Sequence, residues 1–179
     1  MSKQPTDKKK EMIVLVGLMG AGKSSVGRVL SGRLELPFVD SDDEVERAAG
    51  CSIEDIFEIY GEAAFRDVEA RVLRRLLRAP VKIIATGGGA YMNPKTRDRI
   101  ARAGVSVWLR ADLDTLDRRT HRRQAGRPLL KQGDARAKLK TLMDERYPVY
   151  AEADIIVDSV DEAPEATADK ILTQLAERT

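Results

Sequence analysis

Short unbroken apolar runs alternate with stretches of helical spacing along nearly the whole chain. "MIVLVG" (12–17) has no polar interruption and reads as a buried strand. "KSSVGRVLSGRLE" (23–35) then sets Val26, Val29, Leu30 and Leu34 at the three-and-four spacing of one helix face. "PFVD" (37–40) predicts a second, shorter strand, followed by helical patterns over 42–49, 52–60 and 62–78. Ser52 is placed to cap the middle one, ahead of an acidic first turn. A third strand is expected at "VKIIAT" (81–86). "NPKTRDRIARAG" (93–104) opens with Asn at the cap and Pro at the first helical position, and closes on Gly104. "VSVWL" (105–109) predicts a fourth strand and residues 111–122 a helix. "QAGRPLLKQGD" (124–134) breaks all periodicity. A helix over about 135–146, a strand at 154–158 and a last helix over 161–177 complete the pattern.

Five strands that are apolar throughout, separated by helices, predict an α/β fold: a three-layer α/β/α arrangement around a parallel sheet covered on both faces. Ligands of such sheets bind beyond the carboxyl ends of the strands. The residues just after each strand therefore carry the chemistry.

Composition narrows the class without naming it. The 179 residues are 42% hydrophobic and 34% charged, with a net charge of +2. That suits one soluble domain with a real core and gives no footprint for nucleic acid. The run "RVLRRLLR" (71–78) reads as a solvated helix face. Cys51, the single cysteine, excludes an internal disulfide, fits a reducing, cytoplasmic setting, and is expected as a small buried filler. The single His121 cannot build a multi-histidine metal site. "KKK" ahead of "MIVLVGLMGAG" imitates a secretory signal, but Glu11 interrupts it and the apolar run is far too short for a membrane span. The polar first ten residues are expected to form a disordered basic tail before a single domain over 11–179.

After the first strand comes "GLMGAGKSS", which fits G-x-x-x-x-G-K-[ST] with Gly17, Gly22, Lys23 and Ser24. Glycines let successive backbone N–H groups converge on a phosphate, and the following helix adds its positive end. Lys23 would meet the β- and γ-phosphates and Ser24 a magnesium ion, so the loop predicts a nucleoside triphosphate site. After the second strand, "VDSDDE" (39–44) crowds four carboxylates. Asp40 at the strand end is suited to face Mg²⁺ through water. Asp42 is suited to take a proton from a substrate hydroxyl, whereas Asp43 and Glu44 fall in a first helical turn, where negative charge is favoured. After the third strand, "TGGGAY" (86–91) holds Gly87, Gly88 and Gly89, expected as a backbone wall facing substrate. Arg66 and Arg146 each read, taken alone, as surface salt-bridge partners.

Taken in order, "GLMGAGKSS", "FVDSDDEVE", "GEAAFRDVE", "ATGGGAY", "RPLL" and "ERYPVY" resemble shikimate kinases over about residues 12–158. The resemblance implies a P-loop kinase of the nucleoside-monophosphate-kinase type with strand order 2-3-1-4-5. It also implies a substrate-binding helical region at about 41–70 and a lid at about 121–134. The implied reaction is transfer from ATP to the 3-hydroxyl of shikimate, a step towards chorismate and the aromatic amino acids, with Mg²⁺ as cofactor and no membrane or nucleic-acid partner; a monomer is expected. Carried over by position, Asp42 holds substrate hydroxyls and acts as base, with Lys23 and Arg127 as the other catalytic groups. Gly20, Ala21, Gly22, Lys23, Ser24 and Ser25, with Arg119 by the adenine and Arg127 in the lid, bind nucleotide. Arg66, Gly87, Gly88, Gly89 and Arg146 join Asp42 around the substrate, the arginines on its carboxylate, and Ser24 and Asp40 serve the metal. Ser25 stands where Thr is usual, a hydroxyl for a hydroxyl. The rival readings are another small-molecule P-loop kinase, such as a gluconate kinase, and a nucleotide switch. No N-K-x-D stretch for a guanine-specific switch is present.

Overall fold

The computed structural model describes residues 11–122 and 134–178. Five parallel strands form one sheet in the order β2-β3-β1-β4-β5. They are β1 (Met12–Val16), β2 (Phe38–Asp40), β3 (Ile83–Ala85), β4 (Gly104–Arg110) and β5 (Ile155–Asp158). All five residues of β1 are buried. Successive strand side chains point to opposite faces, so both faces of the sheet centre are covered.

Seven helices lie around the sheet among the described residues: α1 (Lys23–Leu34), α2 (Ser41–Ala49), α3 (Ile53–Leu76), α4 (Pro94–Ala103), α5 (Leu113–His121), α6 (Ala135–Tyr150) and α7 (Pro164–Glu177). The strand order reverses direction at β1, whose neighbours are β3 on one side and β4 on the other. The chain after β1 thus opens into the crevice where such sheets bind ligands.

Several boundaries follow the expected local chemistry. Ser52 caps α3 by accepting from the Asp55 N–H at 3.1 Å, and Asn93 caps α4 ahead of Pro94. The break expected between residues 60 and 62 is real: Gly61 takes φ 83° and ψ 172° inside α3, a left-handed conformation that divides the helix. The arginine-rich run turns Val72, Leu73 and Leu76 into the core and leaves Arg71, Arg74 and Arg75 outside. Cys51 is half-buried.

Other boundaries depart from expectation. Gly104 does close α4, its N–H donating to Ile100 O, but it also begins β4, where the Met12 backbone passes too closely for any side chain. The last helix starts at Pro164 rather than residue 161, because proline is favoured at the first helical position. α6 does not stop at Arg146 but runs through Pro148 to Tyr150. An internal proline forfeits one helical hydrogen bond and costs about 3 kcal/mol. Here the added turn carries Tyr147 and Tyr150 onto Trp108, with ring centroids 4.8 and 5.7 Å away, and Tyr150 is fully buried. Burial of two aromatic rings offsets a loss of that size.

Candidate active site

The loop after β1 curls through Gly17, Gly20 and Gly22, all at positive φ, and Gly22 caps α1. Side chains other than glycine rarely adopt these angles, which is why this segment forms a concave nest of backbone N–H groups. Lys23 lies across it, its Nζ donating to Gly17 O at 2.6 Å and Leu18 O at 3.0 Å. Ser24 Oγ donates to Asp40 Oδ2 at 2.6 Å, joining the start of α1 to the end of β2. The other Asp40 oxygen accepts from the Asp42 N–H at 3.0 Å and caps α2. Two hard oxygens are thus held side by side at the mouth of the phosphate loop. That pair fits a magnesium ion, which takes few protein ligands and keeps water and phosphate oxygens for the rest.

Asp42 faces inward from the first turn of α2. Burial above all, and next the negative charge of Asp40, pushes its carboxyl from 3.8 up to about 6, against the pull of Lys23. Asp43 and Glu44 point elsewhere: Glu44 accepts from Arg75 at 2.9 Å, and Asp43 is exposed. The division of the four acids into two at the site and two on the helix surface follows the sequence reading.

Each of the three consecutive glycines makes room for a different charged group. A methyl group on Gly87 would sit 2.8 Å from Asp42 Oδ1 and 2.9 Å from Glu69 Oε2. On Gly88 it would lie 3.1 Å from Arg146 Nη1, and on Gly89 2.6 Å from Arg66 Cζ. The triplet is therefore a matter of space rather than of backbone angle: none of the three has positive φ. It lets two carboxylates and two guanidinium groups close on one stretch of backbone. Arg66 Nη1 donates to Glu69 Oε1 at 3.0 Å and its guanidinium lies 5.0 Å from the Phe65 ring. Arg146 is buried, 6% exposed. A buried guanidinium needs an anion, and a second one across the same wall suits a ligand carboxylate.

These groups line a single cavity of about 520 Å³. Its walls include Gly20, Gly22, Lys23, Ser24, Ser25, Asp40, Asp42, Arg66, Gly87, Gly88, Gly89, Arg119 and Arg146, so the structure brings together nearly every residue picked out beforehand. Ala21 is the exception among them: its methyl is buried and its N–H donates to Leu18 O at 3.1 Å. Arg119 sits behind the phosphate loop, donating to Gly20 O at 3.1 Å, Ser159 Oγ at 3.0 Å and Val160 O at 2.6 Å. Arg127 lies outside the described residues, as does most of the expected lid.

Sequence reasoning missed Glu69. It is 3% exposed, burial raises its carboxyl against the pull of Arg66, and its Oε2 has no protein hydrogen-bond partner. An R-x-x-E spacing on one helix face was the available signal. Phe57 and Phe65, 4.9 Å apart between ring centroids, form an apolar wall beside the arginine and were missed as well.

Comparison with known proteins agrees with this geometry. The family model described as shikimate kinase matches residues 19–176. A shikimate kinase of Paramagnetospirillum magneticum is 61% identical over 163 residues, 91% of this chain and 83% of that protein. One of Brucella canis is 51% identical over 166 residues, 93% of this chain and 82% of that protein. A solved shikimate kinase of Acinetobacter baumannii in complex with shikimate superposes with a TM-score of 0.92 at 37% identity, covering 96% of each chain. With that likeness running from the phosphate loop to the last helix, the chain belongs to the shikimate kinase family.

Proposed function

We propose that this protein transfers the terminal phosphoryl group of ATP to the 3-hydroxyl of shikimate, within a single kinase domain over residues 11–179. The observation that carries the reading is the glycine triplet, which sets one proton-accepting carboxylate and two guanidinium groups opposite a phosphate loop in one cavity. A small acid with a hydroxyl group matches that arrangement: Arg66 and Arg146 on the carboxylate, Asp42 on the hydroxyl. Guanidinium forks suit carboxylates better than ammonium groups do. A neutral sugar would offer neither guanidinium a carboxylate.

The groups have distinct roles. The nest around Gly20 and Gly22, with Ser25 beside it, receives the phosphates. Lys23 exchanges its two loop carbonyls for phosphate oxygens. Ser24 and Asp40 would hold Mg²⁺, which supplies charge neutralisation on the phosphates when bound. Asp42, with its carboxyl near 6, is mostly ionised at neutral pH yet basic enough to accept a proton. As the substrate oxygen bonds to phosphorus, its proton passes to Asp42, and the bond from phosphorus to the bridging oxygen breaks to release ADP. In phosphoryl transfer the protein's part is mainly positioning and charge stabilisation, and every named group does one or the other. Arg119 would border the adenine, and Arg127 would add charge from the lid.

The test is ADP release by the purified protein with Mg-ATP and either shikimate or gluconate. Turnover with shikimate and little with gluconate is expected. Robust turnover on gluconate alone would overturn the reading.

A further inference from the structure

The end of α6 carries two tyrosines one turn apart, Tyr147 and Tyr150, and both bury a hydroxyl. Each donates to a backbone carbonyl, but to different ones: Tyr147 to Ala111 O, away from the cavity, and Tyr150 to Gly88 O, in the middle of the glycine wall. Burial pushes both phenols up to about 12, so both remain neutral and keep their donor proton at any working pH.

Tyr150 has a second neighbour. The Arg146 guanidinium is close enough to its hydroxyl to pull against the rise in the phenol. Arg146 also abuts Gly88 directly, 3.1 Å from where a side chain would begin. The tyrosine hydroxyl and the arginine therefore meet at the same glycine. The Gly88 carbonyl belongs to the peptide joining Gly88 to Gly89; a trans peptide points its N–H opposite to its carbonyl. Holding the carbonyl thus sets the direction of the Gly89 N–H. Neither Gly88 nor Gly89 donates its N–H to a protein group among the described residues. The Tyr150 ring is immobilised by Trp108 at 5.7 Å and Tyr91 at 6.5 Å between centroids, with no exposure to solvent.

We infer that Tyr150 is a positioning residue for the acidic substrate: its hydroxyl holds the Gly88–Gly89 peptide against which Arg146 packs, and so keeps both in the arrangement that receives a carboxylate. The inference rests on the proposed role of Arg146 in gripping that carboxylate. It also explains why α6 continues past Pro148, since a helix ending at Arg146 would leave the glycine wall without the hydroxyl that holds it.

Tyr150→Phe removes one oxygen and keeps the packed ring, and Tyr147→Phe is its matched control. Both variants lose a buried hydrogen bond, so both should melt at a lower temperature. Only Tyr150→Phe should raise the KM for shikimate, by about tenfold, the loss of one charge-assisted contact, with the KM for ATP within about twofold of the parent. In an Arg146→Ala background, Tyr150→Phe should add much less than that rise, because part of what the tyrosine positions is then gone. Equal rises from both tyrosine variants, or a full rise from Tyr150→Phe in the Arg146→Ala background, would show a merely structural effect and overturn the inference. An unchanged shikimate KM in Tyr150→Phe, with a raised one in Arg146→Ala, would overturn it while leaving the proposed site standing. No change in either variant would overturn both.

Discussion

Asp42→Asn should make the folded protein more stable at neutral pH while disabling it as a kinase. Its carboxyl is held at about 6 in the folded chain against 3.8 ordinarily, so the folded state binds this proton more tightly than the unfolded state does. The favourable contribution is complete below 3.8 and is lost as pH rises through about 6. The gap between about 6 and 3.8, at about 1.4 kcal/mol per pH decade, amounts to about 3 kcal/mol at pH 8 and roughly half of that at pH 5. Asp42 retains some exposure, and water screens part of the interaction, so about 3 kcal/mol is a ceiling. Asparagine resembles the neutral carboxyl in shape and escapes the cost of ionising beside Asp40 and Glu69. Urea denaturation of parent and variant at pH 5 and pH 8 measures the difference directly. The variant should gain stability at both, more at pH 8. A variant less stable than the parent at pH 8, or a gap that does not change with pH, would refute the reasoning.

The same substitution should lower kcat by about 10² or more, since the hydroxyl loses its proton acceptor, while ATP affinity measured by titration stays near the parent's. Gly89→Ala drives a methyl group into the Arg66 guanidinium and should raise the KM for shikimate without changing that for ATP, as paired substrate titrations would show. Arg66→Ala should cost about 1.5–3 kcal/mol of shikimate binding, read from KM, because it deletes one side of the carboxylate clamp and leaves the buried Glu69 without its cation. Ser24→Ala removes the partner of Asp40 Oδ2, and the magnesium concentration for half-maximal activity should rise, measured at fixed ATP.

Local features of the fold were readable along the chain because their causes are local. The division of α3 at Gly61, the Ser52 and Asn93 caps, and the nest from Gly17 to Ser24 each depend on a few adjacent residues. Five uninterrupted apolar runs separated by helices were enough to imply a parallel sheet. Resemblance to a family supplied the strand order and the roles of Arg66 and Arg146, which spacing alone would have left as surface residues, whereas Asp42 was already suited to accept a proton by its place after the second strand.

What only the folded chain decided is who meets whom. Residues 42, 69, 87 and 146 lie far apart in sequence and converge because β2 and β3 are neighbours and α6 reaches back over the glycine wall. That is why the triplet could be read along the chain as a backbone wall but not as three places that each accommodate a different partner. The raised carboxyl of Asp42, the buried Glu69 and the bond from Tyr150 to Gly88 all depend on distant segments. The sequence by itself determined the elements and the chemical groups available. The tertiary structure decided their burial and mutual distances, because charge interactions and desolvation act through space and not along the chain.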